Sequence, residues 1–322
     1  TLLSGGYQVS TASSIPAPAG DPAPSKMVHP PHRVFSPRRI GAIASNTFLE
    51  LVRQKVFYFL LIFALVLIGS SAFMVNFTFQ EKFQVLKDVS LGAMSIFTWL
   101  LAVLCTAMLL PKDIEDRTLY TILAKPVPRL EYLIGKLMGV LALLAISTLL
   151  MGGLFAIVLY SREQLAIVEA MQEAGPNAPQ EQVAAVIREI KAATFTWSLL
   201  PGVIVIYLKA ALFAALTLLI STFASSWIFT IVTSVAIYII GHIQPIARDY
   251  WLTEHGSTAL TKVFLAIISL LFPDLQLFNL VDDIVAGNAI STLLFLKTAA
   301  LGVIYVLVYL FLAYFIFAKK EL

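Results

Sequence analysis

Residues 111–129 read PKDIEDRTLYTILAKPVPR, a charged stretch between two long apolar runs. The run before it covers residues 91–110, and the run after it covers 137–160. About 20 apolar residues in a helix cross the roughly 30 Å of hydrocarbon in a bilayer. Both runs are therefore predicted to span a membrane, and the charged stretch is predicted to lie at the membrane surface between them.

The composition places the whole chain in a membrane. Of its 322 residues, 59% are hydrophobic and 13% are charged, with a mean hydropathy of +0.87. Soluble domains carry about 25% charged residues, so a soluble globule would lack enough polar surface. The single cysteine, Cys105, excludes an intrachain disulfide. The small net charge of +3 gives no indication of nucleic-acid binding. The chain is predicted to be an all-α integral membrane protein.

Six spans are predicted, at about 56–75, 91–110, 137–160, 199–223, 227–243 and 298–317. Residues 1–35 are rich in Pro, Ala, Ser and Gly and are predicted to form a disordered tail. From Ser36-Pro37 onward, apolar residues recur at helical spacing, which predicts an interfacial helix before the first span. The membrane domain is expected to cover residues 36–322.

Two segments between spans are partly apolar. In the loop 161–198, an apolar face of Leu165, Val168 and Met171 predicts one helix, and a stripe ending at Ile190 predicts a second. This loop fits a lid or a packing surface, and it also fits an exit gate or a partner site. The apolar residues 263–272 are too few to cross and end at Pro273, so residues 263–287 are predicted to form a re-entrant segment.

The basic residues are distributed unequally across these six spans. Thirteen Lys and Arg fall on the side of the two termini and of residues 111–136, against eight on the opposite side. Positive residues favour the cytoplasmic side. Both termini and the charged stretch are therefore predicted to be cytoplasmic, and residues 161–198 and 244–297 are predicted to face outward.

Within the charged stretch, four apolar residues lie roughly on one side of a helix and four charged residues cluster at its start. The apolar residues are Ile114, Leu119, Ile122 and Leu123, and the charged residues are Asp113, Glu115, Asp116 and Arg117. Pro126 and Pro128 end this helix, because proline lacks a donor and disfavours a helical residue before it.

This stretch resembles the ABC-2 family of ABC transporter permeases. Members often show an acid, then T-L…L-L-A-x-P-V-x-R, then G-K before the next span. The matching residues are Glu115, Thr118, Leu119, Ile122, Leu123, Ala124, Pro126, Val127, Arg129, Gly135 and Lys136. Arg117 stands where the family commonly has glycine. The wider resemblance covers about residues 36–322.

The resemblance implies a function and partners. The stretch would be a coupling helix between the second and third spans, docked in a groove of a separate ATPase subunit that binds ATP and Mg²⁺. Its contact residues would be Asp113, Ile114, Glu115, Asp116, Arg117, Thr118, Leu119, Ile122 and Leu123. A second permease subunit, identical or different, would complete the transporter. The expected location is the plasma membrane, here a bacterial inner membrane, and the expected direction is export.

The sequence shows no catalytic chemistry of its own. Residues 3–8 read LSGGYQ, similar to the signature of ABC ATPases, but the chain has no G-x-x-x-x-G-K-[ST] phosphate loop. No metal-binding spacing of Cys and His occurs either. We therefore expect no cofactor, metal or catalytic residue on this chain.

Lys209 is the one charged residue inside a predicted span. It is a candidate for the transport pathway, because a charge in the bilayer is costly and often faces a cavity. If the fourth helix began near Tyr207, Lys209 would be only interfacial. An ATP-independent transporter or channel, or a membrane scaffold, remain alternative functions for the chain.

Overall fold

The computed structural model describes residues 36–73, 79–115, 128–175, 179–196, 198–255, 263, 272–286 and 290–319. These residues are all-helical, with no strand among them. The predicted tail at 1–35 and the centre of the charged stretch, 116–127, lie outside the described residues.

The first two helices form a bent pair. Helix α1 covers Pro37–Val52 and α2 covers Lys55–Ser70, with an angle of 68° between them. Pro37 lies in the first turn of α1, where its missing N–H breaks no helical hydrogen bond. Helix α2 is followed by a 3₁₀ turn, Ser71–Phe73. Since α2 alone has 16 residues, it is shorter than the predicted span 56–75.

The next four helices are α3 at Phe79–Ala107, α4 at Leu109–Glu115, α5 at Arg129–Ala174 and α6 at Gln180–Thr194. Helix α5 runs unbroken for 46 residues, a length of about 69 Å. The first part of the predicted loop 161–198 is therefore a continuation of the third span. Helix α5 ends at Ala174, and the next residue is Gly175, whose φ of 70° suits a residue without a side chain.

Beyond residue 160, the face that α5 buries is not the apolar face of the predicted helix. Ala166 and Ala170 are buried, whereas Leu165, Val168 and Met171 are about half exposed. Within this chain the helix therefore packs through its small residues, which favour close helix packing, and the predicted apolar face is left uncovered. In α6, Ile190 is buried as the second stripe predicts.

The remaining helices complete the bundle: α7 at Leu199–Phe223, α8 at Trp227–His255, α9 at Val281–Val285 and α10 at Thr292–Lys319. A 3₁₀ turn, Leu275–Phe278, precedes α9. In the described part of the chain, five helical stretches are long and apolar enough to cross a membrane, or six if α1 and α2 count as one bent span. Helix α7 is the most enclosed, and it packs on α3, α5 and α10.

The 3₁₀ turn packs inside this bundle. A Cβ atom on Gly302 of α10 would lie 3.2 Å from the Phe278 ring and 3.6 Å from Leu208 of α7. Gly302 is ten residues into α10, or about 15 Å along its axis. Phe278 and Leu275 are accordingly buried. The turn Leu275–Phe278 thus lies well below the end of the bundle at which α7 and α10 begin.

Candidate functional site: an ion-pair network at the charged end of the bundle

A buried ion pair joins the two ends of the segment that the structure leaves undescribed. Asp113 lies in α4, just before residues 116–127, and Lys136 lies in the second turn of α5, just after them. Their Oδ2 and Nζ atoms are 2.6 Å apart, and both residues are buried. Tyr132 also donates its hydroxyl proton to the Asp113 carboxylate. The helix before the segment, α4, is therefore bound directly to the helix after it, α5.

Glu50 extends this network to α1. Its carboxylate accepts a hydrogen bond from Lys112 Nζ at 2.7 Å, and its other oxygen lies 3.8 Å from Lys136 Nζ. The Lys112 pair is half exposed, so we expect it to contribute less than about 1 kcal/mol. The Asp113–Lys136 pair is shielded from solvent, and removing one partner would leave the other charge buried.

A second ion pair fixes the other end of α1. Arg39 Nε lies 2.7 Å from Glu131 Oε2, and Arg39 Nη2 donates to Glu131 Oε1 at 2.8 Å. The backbone N–H of Ser36 donates to the same Oε1 at 2.7 Å. The guanidinium thus binds Glu131 through two parallel hydrogen bonds, the strongest geometry for such a pair. Glu131 itself is fully buried.

Between these ion pairs, α1 lies directly on two glycines of α5. A Cβ atom on Gly135 would lie 2.7 Å from Ile43 Cβ. A Cβ atom on Gly139 would lie 2.7 Å from Thr47 Cβ and 2.8 Å from the backbone oxygen of Ala44. The spacing Gly-x-x-x-Gly places both on one helix face and allows close backbone approach. Helix α1 is therefore packed tightly against the beginning of α5.

The last helix ends at the same place. Arg129 donates from Nη1 to the backbone oxygens of Phe317 at 2.9 Å and Ala318 at 2.6 Å. A cation there satisfies carbonyls that have no partner in the helix and complements its dipole. The rings of Tyr132 and Phe317 also stack, with centroids 6.0 Å apart. Thus α1, α4, α5 and α10 meet at what we call the charged end of the bundle.

A groove of about 790 Å³ opens at the charged end between α1, α4 and α5. Its walls combine apolar α1 residues with the ion-pair network. The lining residues are Ala42, Ile43, Asn46, Thr47, Leu49, Glu50, Arg53, Gln54, Lys112, Asp113, Tyr132 and Lys136.

The structure brings together only part of the predicted contact set. Asp113 is buried and bound within the chain. Ile114 and Glu115 belong to α4. The other predicted contact residues lie outside the described residues: Asp116, Arg117, Thr118, Leu119, Ile122 and Leu123.

Lys209 lies in the interior of α7, ten residues after its start at Leu199. A helix start near Tyr207, which would have left Lys209 at the interface, is therefore excluded. Its Nζ lies 5.6 Å from the centroid of the Tyr238 ring, which stacks on Trp99 at 4.0 Å. Lys209 is buried, and no described carboxylate forms an ion pair with it. The aromatic rings partly compensate the buried charge.

The sequence interpretation did not single out Arg39, Glu50, Glu131 or Tyr132 as partners in one network. A signal for part of it was present, because Gly135 and Gly139 have the spacing typical of close helix packing in membranes. The pairs Arg39–Glu131 and Glu50–Lys112 join residues 92 and 62 positions apart, and nothing in local spacing indicates them.

No group of Cys, His, Asp and Glu among the described residues is arranged to hold a metal ion. A comparison with curated proteins finds no significant match. The model of the family described as "ABC-2 family transporter protein" matches residues 41–322. This range includes the ion pair Asp113–Lys136 and all the described helices except the first four residues of α1, among them Arg39. The chain therefore belongs to the ABC-2 family of transporter proteins.

Proposed function

We propose that this chain is the permease subunit of an ABC transporter, in which a separate ATPase subunit binds and hydrolyses ATP. Residues 111–129 form the contact with that subunit. Rigid-body movement of this contact tilts the membrane helices and exposes a substrate pathway to alternate sides. Family membership supports the permease role.

The observation that carries the proposal is the ion pair between Asp113 and Lys136. The pair joins α4, which precedes residues 116–127, to α5, which follows them, with 2.6 Å between the charged atoms. Glu50, Glu131 and Arg129 then link these helices to α1 and α10. A force applied to the segment from outside the membrane therefore reaches α1, α4, α5 and α10 together.

Because Asp113 is buried, we give it a different role from the charged residues that follow it in the sequence. Asp113 positions the segment from within, because its carboxylate is bound by Tyr132 and Lys136. The partner then contacts the charges that follow it and the apolar residues of the segment. We assign these contacts to Ile114, Glu115, Asp116, Arg117, Thr118, Leu119, Ile122 and Leu123.

The excess of basic residues supports a cytoplasmic position for the charged end. The direct contacts of Arg39 with Glu131 and of Arg129 with Ala318 support placing both ends of the membrane domain on this side. We propose a bacterial inner membrane, export as the direction, and a dimer of two such permease subunits, identical or different. The buried turn Leu275–Phe278 supports a re-entrant segment on the opposite side.

Lys209 is the pathway group in this proposal. It is a buried cation in the middle of a membrane helix, held by an aromatic ring. Charged residues at such depth are costly and characteristically line substrate or ion paths.

The test is capture of the ATPase from native membranes with the tagged full-length chain, followed by mass spectrometry. The double variant Leu119→Asp, Ile122→Asp is expected to lose the ATPase, because two charges would enter an apolar contact. Leu165→Asp with Val168→Asp is the matched control, since both side chains are half exposed on the distant part of α5. Recovery of the ATPase with the first variant, or its absence with the intact chain, would contradict the proposal.

A second measurement separates this function from an ATP-independent transporter. The purified chain is reconstituted in liposomes without its ATPase, and flux of ions and small solutes is recorded. We expect no flux above that of protein-free vesicles, and flux without ATP would favour a channel or secondary transporter.

A further inference from the structure

An apolar groove lies between α5 and α7, away from the charged end. It encloses about 690 Å³. Its lining contains two threonines and otherwise only apolar side chains and glycines: Thr148, Leu149, Gly152, Gly153, Phe155, Ala156, Leu159, Phe195, Thr196, Leu199, Leu200 and Val203.

Two adjacent glycines shape this groove. A Cβ atom on Gly153 would meet nothing within 4 Å, and one on Gly152 would meet only Met94 and Val203 at ordinary contact distances. The space beside these glycines is therefore real volume rather than a site of close helix packing. Gly135 and Gly139 of the same helix differ in this respect, because residues of α1 fill the space beside them.

The position of the groove indicates that it opens toward lipid. It is bordered by Leu149 and Leu200, which are 71% and 65% exposed, so its mouth faces the lipid side of the bundle. Along α5 it extends from Thr148 to Leu159, a rise of about 17 Å. Half of a hydrocarbon core of about 30 Å is about 15 Å, so the groove matches the depth of one leaflet.

We propose that this groove binds one acyl chain of a bilayer phospholipid in the leaflet opposite the charged end. The wall offers almost no hydrogen-bonding groups, as a hydrocarbon chain requires. Phe195 and Thr196 lie at the end of the groove nearest the start of α7, where the glycerol and headgroup would emerge. The bound chain packs between α5, which begins at the charged end, and α7, which carries Lys209.

The test uses the full chain in nanodiscs that contain a phosphatidylcholine with a photoactivatable diazirine on one acyl chain. After illumination, labelled peptides are mapped by mass spectrometry. We expect labelling concentrated on α5 between residues 148 and 159 and at the start of α7. Even labelling of all lipid-facing helices, such as around Phe311 of α10, would show only general lipid contact and would overturn the proposal.

The variant Gly153→Leu fills the groove without a clash inside the chain. By excluding about two methylene groups of the ligand, it is expected to lower groove labelling about tenfold. Gly69→Leu is the matched control, because a Cβ atom there also meets nothing within 4 Å but lies on α2. Unchanged labelling of the groove in Gly153→Leu would overturn the proposal.

Thr148→Val separates an acyl chain from a polar ligand. The Thr148 hydroxyl is buried and makes no hydrogen bond within the described structure. Valine keeps its shape, so labelling by the lipid is expected to stay within about twofold of the unaltered chain. A strong loss would show that the ligand needs the hydroxyl. Efficient disulfide cross-linking between two copies carrying Gly153→Cys would show that a second chain occupies the groove, which also contradicts lipid binding.

Discussion

Asp113 and Lys136, which lie before and after the segment 116–127, form a buried ion pair with 2.6 Å between their charged atoms. Asp113 lies in α4, which follows α3 and precedes the segment, and Lys136 lies in α5, which follows the segment. The pair therefore joins the helices on the two sides of residues 116–127 directly to each other.

The substitution Asp113→Asn is expected to destabilise the protein by about 1–3 kcal/mol. It removes the carboxylate from a buried lysine and leaves only Glu50, at 3.8 Å, as a compensating charge. The measurement is the thermal unfolding temperature in detergent. Lys112→Gln is the control, since its ion pair is half exposed, and it should change stability by less than about 1 kcal/mol. Equal effects from the two variants would contradict a special role for the buried pair.

Glu131→Ala is expected to loosen the beginning of α1. It removes both hydrogen bonds from Arg39 and the one from the Ser36 backbone. Faster hydrogen exchange of the α1 amides in the purified protein is the expected result, with little change in α10. Arg39→Lys should give an intermediate effect, because lysine cannot make two parallel hydrogen bonds to the carboxylate. If exchange in α1 is unchanged in Glu131→Ala, the clamp does not hold the helix.

Gly139→Ala is expected to cost about 1–3 kcal/mol, because its new methyl group would overlap Thr47 and the backbone of Ala44 in α1. Gly69→Ala provides the comparison, since its methyl group enters open space and alanine favours a helix by up to about 1 kcal/mol. Both are measured by thermal unfolding in detergent. A stability for Gly139→Ala equal to that of Gly69→Ala would show that α1 does not rest on this glycine.

Lys209→Met is expected to separate stability from transport. Removing a buried charge that has no described carboxylate partner should leave the unfolding temperature unchanged or raised. If Lys209 belongs to the pathway, substrate transport by the complete transporter falls at least about tenfold, the loss expected for about 1.4 kcal/mol of differential binding. Full transport by a stable Lys209→Met transporter would remove Lys209 from the pathway.

The general arrangement of the fold was predictable because bilayer thickness dictates helix length. Helix α7 begins and ends at the residues predicted for the fourth span, and α8 begins at Trp227 as predicted. The bend between α1 and α2 and the unbroken extension of α5 were not predictable in this way. Hydropathy marks only the part of a helix that crosses lipid, and it carries no information on where the helix continues in water.

The candidate site was predictable in its position but not in its internal contacts. The family motif includes Lys136 but not Asp113, and Asp113 was predicted to be a partner contact because three more charged residues follow it closely. Its burial depends on Tyr132 and on the approach of α1, which are tertiary effects. Pairings such as Arg39 with Glu131 require knowledge of how distant helices meet.

The uninterrupted length of α5 has a mechanical consequence. Its 46 residues extend about 69 Å, so a 10° change of angle at Arg129 would displace Ala174 by about 12 Å if the helix stays straight. A small change of angle at the charged end, where we propose that the ATPase binds, would thus become a large displacement at the far end of α5. In the proposed dimer, spin labels at Gln172 of the two copies would report that displacement as a change in the distance between the labels.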